Sequence, residues 1–286
     1  MPCCPKSECQ SNSISKDGLY YRPSDGQKIQ RYRCSQCCKR FSKATSDPAY
    51  QQKKRRVNHT IKMLLASGVS MRRIAILLNI HRTTVNRKLI FLGEQAKLKH
   101  HKFLHKYTPI TSLQFDDLET IEHTKYKPLS CTLAVEENTR VILGVEVSQM
   151  PAKGLLAKVS RIKYGYRKDH RTKGIKALFD TLKSFVHPQA SILSDKNPLY
   201  PAAVKKAFPK AIYNTVKGAR GCVTGQGELK RLVYDPLFSL NHTFAMLRAN
   251  INRLFRKTWC TTKKKTNLEH HLWIYIHFHN SVLLKK

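Results

Sequence analysis

The clearest periodic signal lies between residues 108 and 216, where apolar positions fall in short runs separated by polar turns. The runs Leu113 to Leu118, Leu129 to Val135 and Arg140 to Val147 have the length and the aliphatic, β-branched content of strands. Asn138 and Thr139, between the last two, suit a hairpin turn. Farther on, a helix over Gly174 to Val186 precedes a strand over Ala190 to Ser194, which ends at Asp195. A short helix over Tyr200 to Phe208 and a strand over Ala211 to Val216 follow. The basic segment Lys153 to Lys173 interrupts this pattern and reads as partly irregular. A three-strand meander followed by alternating helix and strand predicts an α/β fold, a mixed sheet covered by helices.

Helical periodicity dominates on either side. Downstream, Asp235-Pro236 reads as a helix start, with Asp as the cap and Pro at the first helical position. Leu240, Phe244, Leu247, Ile251 and Leu254 then form an apolar stripe. Asn241 borders that stripe, and Arg248 lies two turns beyond it on nearly the same face. Upstream, Ile61, Leu64 and Leu65 mark a helix closed by Ser67-Gly68. Ser70 caps a second helix with Ile74, Leu77 and Leu78 facing inward. After a turn at Asn79 to His81, a third helix places Val85, Leu89 and Leu92 inside. Its outer face carries Arg82, Thr83, Thr84, Asn86, Arg87 and Lys88. This is the layout of a helix-turn-helix whose last helix enters the major groove. Thr84 and Asn86 are the candidates for base edges, and Arg82, Arg87 and Lys88 for phosphates or guanine.

Charge sharpens the choice of partner. The chain carries 53 Lys and Arg against 18 Asp and Glu, a formal charge of +35 spread along its whole length. Such an excess predicts a polyanionic partner, double-stranded DNA given the helix-turn-helix. No apolar run approaches the ~18–20 residues that span a bilayer, and the first residues form no apolar signal segment. The expectation is a cytoplasmic protein that makes no membrane contact.

In a reducing compartment, clustered cysteines read as metal ligands rather than disulfides. Six of the nine fall in the first 38 residues. Cys4-Pro-Lys-Ser-Glu-Cys9 and Cys34-Ser-Gln-Cys37 form two tight knuckles, and Zn(II) takes four thiolates tetrahedrally. Asp17 to Tyr21 and Lys28 to Arg33 read as short strands between the knuckles, which is zinc-ribbon organisation. Cys4 is preferred to Cys3 because Pro5 follows it, and Cys37 to Cys38 because it completes a two-residue spacer. Cys131, Cys222 and Cys260 are isolated and read as core residues.

Acids at strand ends supply the remaining chemistry. Asp116 and Asp117 are adjacent, so on a strand only one of them faces a given site. Asp116, which follows the apolar pair Leu113 and Phe115, is the choice. Asp195 ends a later strand, where its ordinary role is a helix cap. A third oxygen ligand is Asn241, with Glu228 and Asp235 as rivals. An amide oxygen ligates hard cations such as magnesium, at the loss of one negative charge. His242 is turned ~100° from Asn241, too far for the two to share one ion directly.

Taken in order, these motifs resemble an insertion-sequence transposase of the zinc-ribbon-bearing group. The resemblance rests on Cys4-Pro…Cys9, Gln30-Arg-Tyr-Arg-Cys34-Ser-Gln-Cys37, Phe115-Asp-Asp-Leu, Ser194-Asp-Lys-Asn-Pro-Leu-Tyr200 and Asn241-His…Leu247-Arg248. Arg253 to Thr258 also resembles the family's closing helix. It implies a ribonuclease H-like catalytic domain at 108–286, behind a zinc ribbon at 1–45 and a helix-turn-helix domain at 46–107. In the acidic version of the family the position matching Asn241 is Glu, and Asn241-His242 resembles a branch with Asn there. The implied site is Asp116, Asp195 and Asn241 holding Mg2+ or Mn2+, with Arg248 on phosphate, and Cys4, Cys9, Cys34 and Cys37 holding structural Zn2+. The implied partners are the element's terminal repeats, target DNA and further copies of the chain in a dimer or larger assembly, in a bacterial nucleoid. The competing expectation is a non-catalytic DNA-binding protein derived from a transposase.

Overall fold

A computed structural model of the chain describes residues 3–23, 26–107, 109–217, 234–255 and 258–284. The chain divides into two compact units, 1–60 and 61–286. Glu228 and Cys222 lie outside the described residues.

The first unit is a three-stranded antiparallel sheet, β1 (Ile14–Arg22), β2 (Gln27–Cys34) and β3 (Arg40–Ser42), in that order. Its core is minimal. Phe41 packs with buried Cys4 and Cys34, and Tyr32 lies against Phe41 with ring centroids 5.8 Å apart. So small an apolar cluster does not hold a sheet by burial alone, so cross-links between its loops matter.

The second unit begins with three helices: α1 (Asn58–Ala66, reaching back across the unit boundary), α2 (Met71–Leu77) and α3 (Arg82–Tyr107). Gly68 takes a φ of +76° where α1 ends, and the Ser70 hydroxyl accepts the Arg73 N–H at 3.3 Å to cap α2. Leu77, expected inside, is 65% exposed, because α2 turns Ile74 alone fully inward. Helix α3 continues for 26 residues, far beyond a recognition helix. Its buried stripe is Val85, Lys88, Leu89, Gly93, Ala96, His100 and Leu104.

A five-stranded sheet follows, in the order β6-β5-β4-β7-β8. Its strands are β4 (Ile110–Ile121), β5 (Pro128–Val135), β6 (Ile142–Gln149), β7 (Val186–Asp195) and β8 (Ile212–Val216). The meander β4-β5-β6 is antiparallel, while β7 and β8 join β4 in parallel. Four helices connect or cover the strands: α4 (Leu156–Tyr164), α5 (Arg171–Leu182), α6 (Tyr200–Ala207) and α7 (Phe238–Asn250). The last, α8, spans Lys265–Phe278.

Alternation along β4 assigns its two faces. Leu113 and Phe115 enter a core shared with α5 and α6, whereas Leu118 enters one shared with α7 and α8. Asp116 is therefore on the α7 face and Asp117 on the α5 face. Helix α8 lies so close to α3 that a Cβ at Gly93 would stand 2.5 Å from His270 Cβ. His100 of α3 donates from Nε2 to the Leu143 carbonyl of β6 at 2.7 Å.

Several sequence expectations are corrected. The segment Lys153 to Lys173 contains helix α4, and α5 starts at Arg171 and stops at Leu182 so that Val186 can open β7. Helix α7 starts at Phe238 rather than Pro236, because Asp235 caps the turn before it by accepting the Leu237 N–H at 3.0 Å. The helix ends at Asn250, where Ile251 adopts an extended φ of −108° and ψ of 105°. Arg253 to Leu254 thus belongs to a short 3-10 turn and not to a closing helix.

Candidate metal centres and nucleic-acid interface

Two knuckles bring four thiols together in the first unit. Cys4 and Cys9 lie in the loop before β1, Cys34 ends β2, and Cys37 sits in the turn before β3. Their sulfurs all lie within 4.8 Å of one another, with Cys4 to Cys37 at 3.5 Å and Cys9 to Cys34 at 3.7 Å. A tetrahedron of Zn–S bonds ~2.3 Å long has edges of ~3.8 Å, so the donor set fits zinc. Cys3 and Cys38 are exposed and outside the group, and Cys38 turns the chain with a φ of +55°. Backbone N–H of Cys37 foremost, against burial, holds the Cys34 thiol down to about 6. At Cys4 the N–H of Lys6 acts downward, yet burial and the neighbouring thiols push it up to about 12. A cation among them would replace these thiol protons.

The acidic site is built on the two central strands of the large sheet. β4 and β7 run parallel with Phe115 opposite Ser194, which sets Asp116, midway along β4, beside Asp195, the last residue of β7. Ser194 bonds to Tyr213 on the α5–α6 side, and Leu193 packs on the other core. Alternation therefore turns Asp195 to the same face as Asp116, the face that α7 covers.

Both carboxylates are half-buried. Asp116 is pushed up to about 7, chiefly by burial; the Asp117 N–H pulls it down, the Asp195 charge raises it, and the Tyr200 hydroxyl lowers it. Burial also raises Asp195, against the N–H of Asn197 and with the Asp117 charge. Two crowded carboxylates with no ion-pair partner among the described residues, and with Asp116 held up by burial, fit a divalent cation.

Asn241 is exposed on the first turn of α7. Its amide nitrogen donates to Asp235 Oδ2 at 2.9 Å, which leaves the amide oxygen as the acceptor. Helix α7 is pinned to β4 by the buried Gln114 side chain. That amide donates to the Pro236 carbonyl at 2.9 Å and accepts the Leu240 N–H at 3.2 Å. His242 is held elsewhere, its ring nitrogen 3.2 Å from the Arg140 guanidinium. Arg248 is half-buried two turns on. Asp117 occupies the opposite face, where its Oδ1 accepts the Thr132 hydroxyl at 2.5 Å. Among the described residues, the four cysteines are the only group of three or more His, Cys, Asp or Glu side chains so closely drawn together.

Helix α3 keeps only part of its expected outer face. Arg82 and Arg87 are exposed and Thr84 is half-buried. Lys88 is 5% exposed, a correction: it sits three residues after Val85, on the buried stripe. Asn86 is also corrected, because its side-chain oxygen accepts from Asn267 of α8 at 3.1 Å. Sequence reasoning missed Gln114 and Tyr200. The one available signal was their place beside the acids, Gln114 two residues before Asp116 and Tyr200 five after Asp195.

Among solved structures, this chain is similar to the catalytic domain of the Mos1 mariner transposase, at 12% identity and a TM-score of 0.27 over 70% of this chain and 95% of that one. It is also similar to the Mos1 strand transfer complex, at 10% identity and a TM-score of 0.27 over 80% of this chain and 78% of that one. No family model and no curated protein matches the chain. A functional reading is therefore carried by the site residues and not by these likenesses. No helix among the described residues is long and apolar enough to cross a membrane.

Proposed function

We propose that the chain is a DNA transposase, binding the terminal inverted repeats of a mobile element and catalysing metal-dependent strand cleavage and transfer. The observation that carries this reading is the placing of Asp116 and Asp195 on one face of adjacent parallel strands, side by side where β7 ends. In this reading residues 1–45 form a zinc ribbon, 46–107 a helix-turn-helix domain and 108–286 a ribonuclease H-like catalytic domain.

Asp116, Asp195 and the Asn241 amide oxygen hold Mg2+ or Mn2+, and Cys4, Cys9, Cys34 and Cys37 hold Zn2+. Bound divalent ions supply an activated water or 3′-hydroxyl and stabilise the leaving oxygen. The protein's own part is to fix the ligand oxygens and hold the DNA. Gln114 sets the register of α7 against β4, and Asp235 orients the Asn241 amide. Arg248, Arg82, Arg87 and the cations between Lys153 and Lys173 take backbone phosphates, and Thr84 takes a base edge. Paired element ends require at least two copies of the chain.

One observation favours a second reading, a non-catalytic DNA-binding protein. The Asn241 amide is already engaged by Asp235, and no third carboxylate joins Asp116 and Asp195 among the described residues. A cleavage assay on terminal-repeat DNA with Mg2+ or Mn2+ separates the two. The transposase reading expects strand cleavage, and expects Asn241→Glu to shift the metal concentration required. Binding without cleavage by the parent chain would establish the second reading.

A further inference from the structure

The segment Asp195-Lys-Asn-Pro-Leu-Tyr200 is built as one rigid piece. Asp195 Oδ1 accepts the Asn197 N–H at 3.0 Å. Asn197 Oδ1 in turn accepts the Leu199 N–H at 3.1 Å, and the Asn197 carbonyl accepts the Tyr200 N–H at 3.1 Å. Pro198 fixes the backbone between them. The chain thus passes from the second acid to Tyr200 through a continuous set of local bonds.

Tyr200 is fully buried, with its ring 4.8 Å from that of Phe115. Its hydroxyl leaves this apolar surround at one point, donating to Asp116 Oδ1 at 3.0 Å. The same oxygen accepts the Asp117 N–H at 2.6 Å. Oδ1 of Asp116 is therefore saturated by two donors, which, among the described residues, leaves its Oδ2 for a ligand, while Oδ1 of Asp195 accepts one bond from its own turn.

We propose that Tyr200 is a positioning residue for divalent-metal binding. It locks the Asp116 carboxylate so that Oδ2 is the ligand atom, and ties that orientation to the loop carrying Asp195. The inference rests on the reading of Asp116 as a metal ligand. A carboxylate held by an outer partner loses less orientational freedom when the ion binds, and losing such a partner typically costs ~10-fold or more in affinity.

The test is Mn2+ binding to the full chain without DNA, read by electron paramagnetic resonance, for the parent, Tyr200→Phe and Asp116→Ala. Tyr200→Phe keeps the ring in its packing and removes only the oxygen. It should weaken Mn2+ binding about 10-fold while leaving affinity for DNA unchanged, a split that a general loss of structure does not produce. Asp116→Ala should abolish the site. If Asp116→Ala binds Mn2+ like the parent, the ligand reading itself fails. If Asp116→Ala loses the ion and Tyr200→Phe binds like the parent, only the role of Tyr200 fails. Should Tyr200→Phe not fold, a crystal structure of the parent with Mn2+ decides. The ion on Asp116 Oδ2 with the Tyr200 hydroxyl still on Oδ1 supports the proposal; the ion on Oδ1 with the hydroxyl displaced overturns it.

Discussion

Asp116 is the residue on which the site's electrostatics turn. Its carboxyl is held up at about 7 in the folded protein, against ~4 for an unperturbed Asp. As pH rises through that window the unfolded chain gives up its proton first. The folded state then binds more protons than the unfolded one, so stability of the metal-free protein falls from pH ~4 to ~7 and stays lower above. Asp116→Asn removes this liability. Chelated variant protein should exceed the parent at pH 8 by on the order of 2 kcal/mol in urea unfolding, with the gap closing toward pH 4. A gap that is the same at pH 4 and pH 8 would show that Asp116 is not the group responsible. The parent, unlike the variant, should regain stability at pH 8 when Mn2+ is added.

At the level of elements, the relation of α7 to β4 decides whether Asn241 can serve the acids, and Gln114 sets it. Gln114→Leu removes both bonds to the helix and leaves the Leu240 N–H and the Pro236 carbonyl without that partner. The expected cost is about 1–3 kcal/mol in chemical denaturation, with the loss of cleavage rate exceeding any loss of DNA affinity. A variant of parental stability and rate would mean that α7 is held by its apolar stripe alone.

Elements whose signal is local were legible in the sequence. Both knuckles, the Ser70 cap, the strand meander and the alternation of Asp116 against Asp117 follow from neighbours within a few positions. What the sequence concealed depends on distant partners. Asn86 reads as solvent-facing until the long α3 is seen against α8, whose Asn267 is 181 positions away, and Lys88 until it is found on the buried stripe of α3. The early end of α7 and the helix within the basic segment after β6 likewise arise from packing that no local window contains. Tyr200 read as an ordinary helix start, because its hydrogen bond spans 84 positions.

For the whole molecule, a formal charge of +35 favours a polyanionic partner but supplies no chemistry. The proposed chemistry would depend on direct contact between the Asp116 and Asp195 carboxylates and a divalent ion. Replacing one carboxylate by a thiolate tests that contact, since sulfur is a poor ligand for Mg2+ and a better one for Mn2+. The decisive measurement is terminal-repeat cleavage by Asp195→Cys in each metal, beside the parent. If Asp195 is a ligand, the parent cleaves with both ions, and Asp195→Cys is inactive with Mg2+ and regains cleavage with Mn2+. Equal activity of Asp195→Cys in the two metals, or a parent chain that binds the repeat and cuts it in neither, would contradict the account.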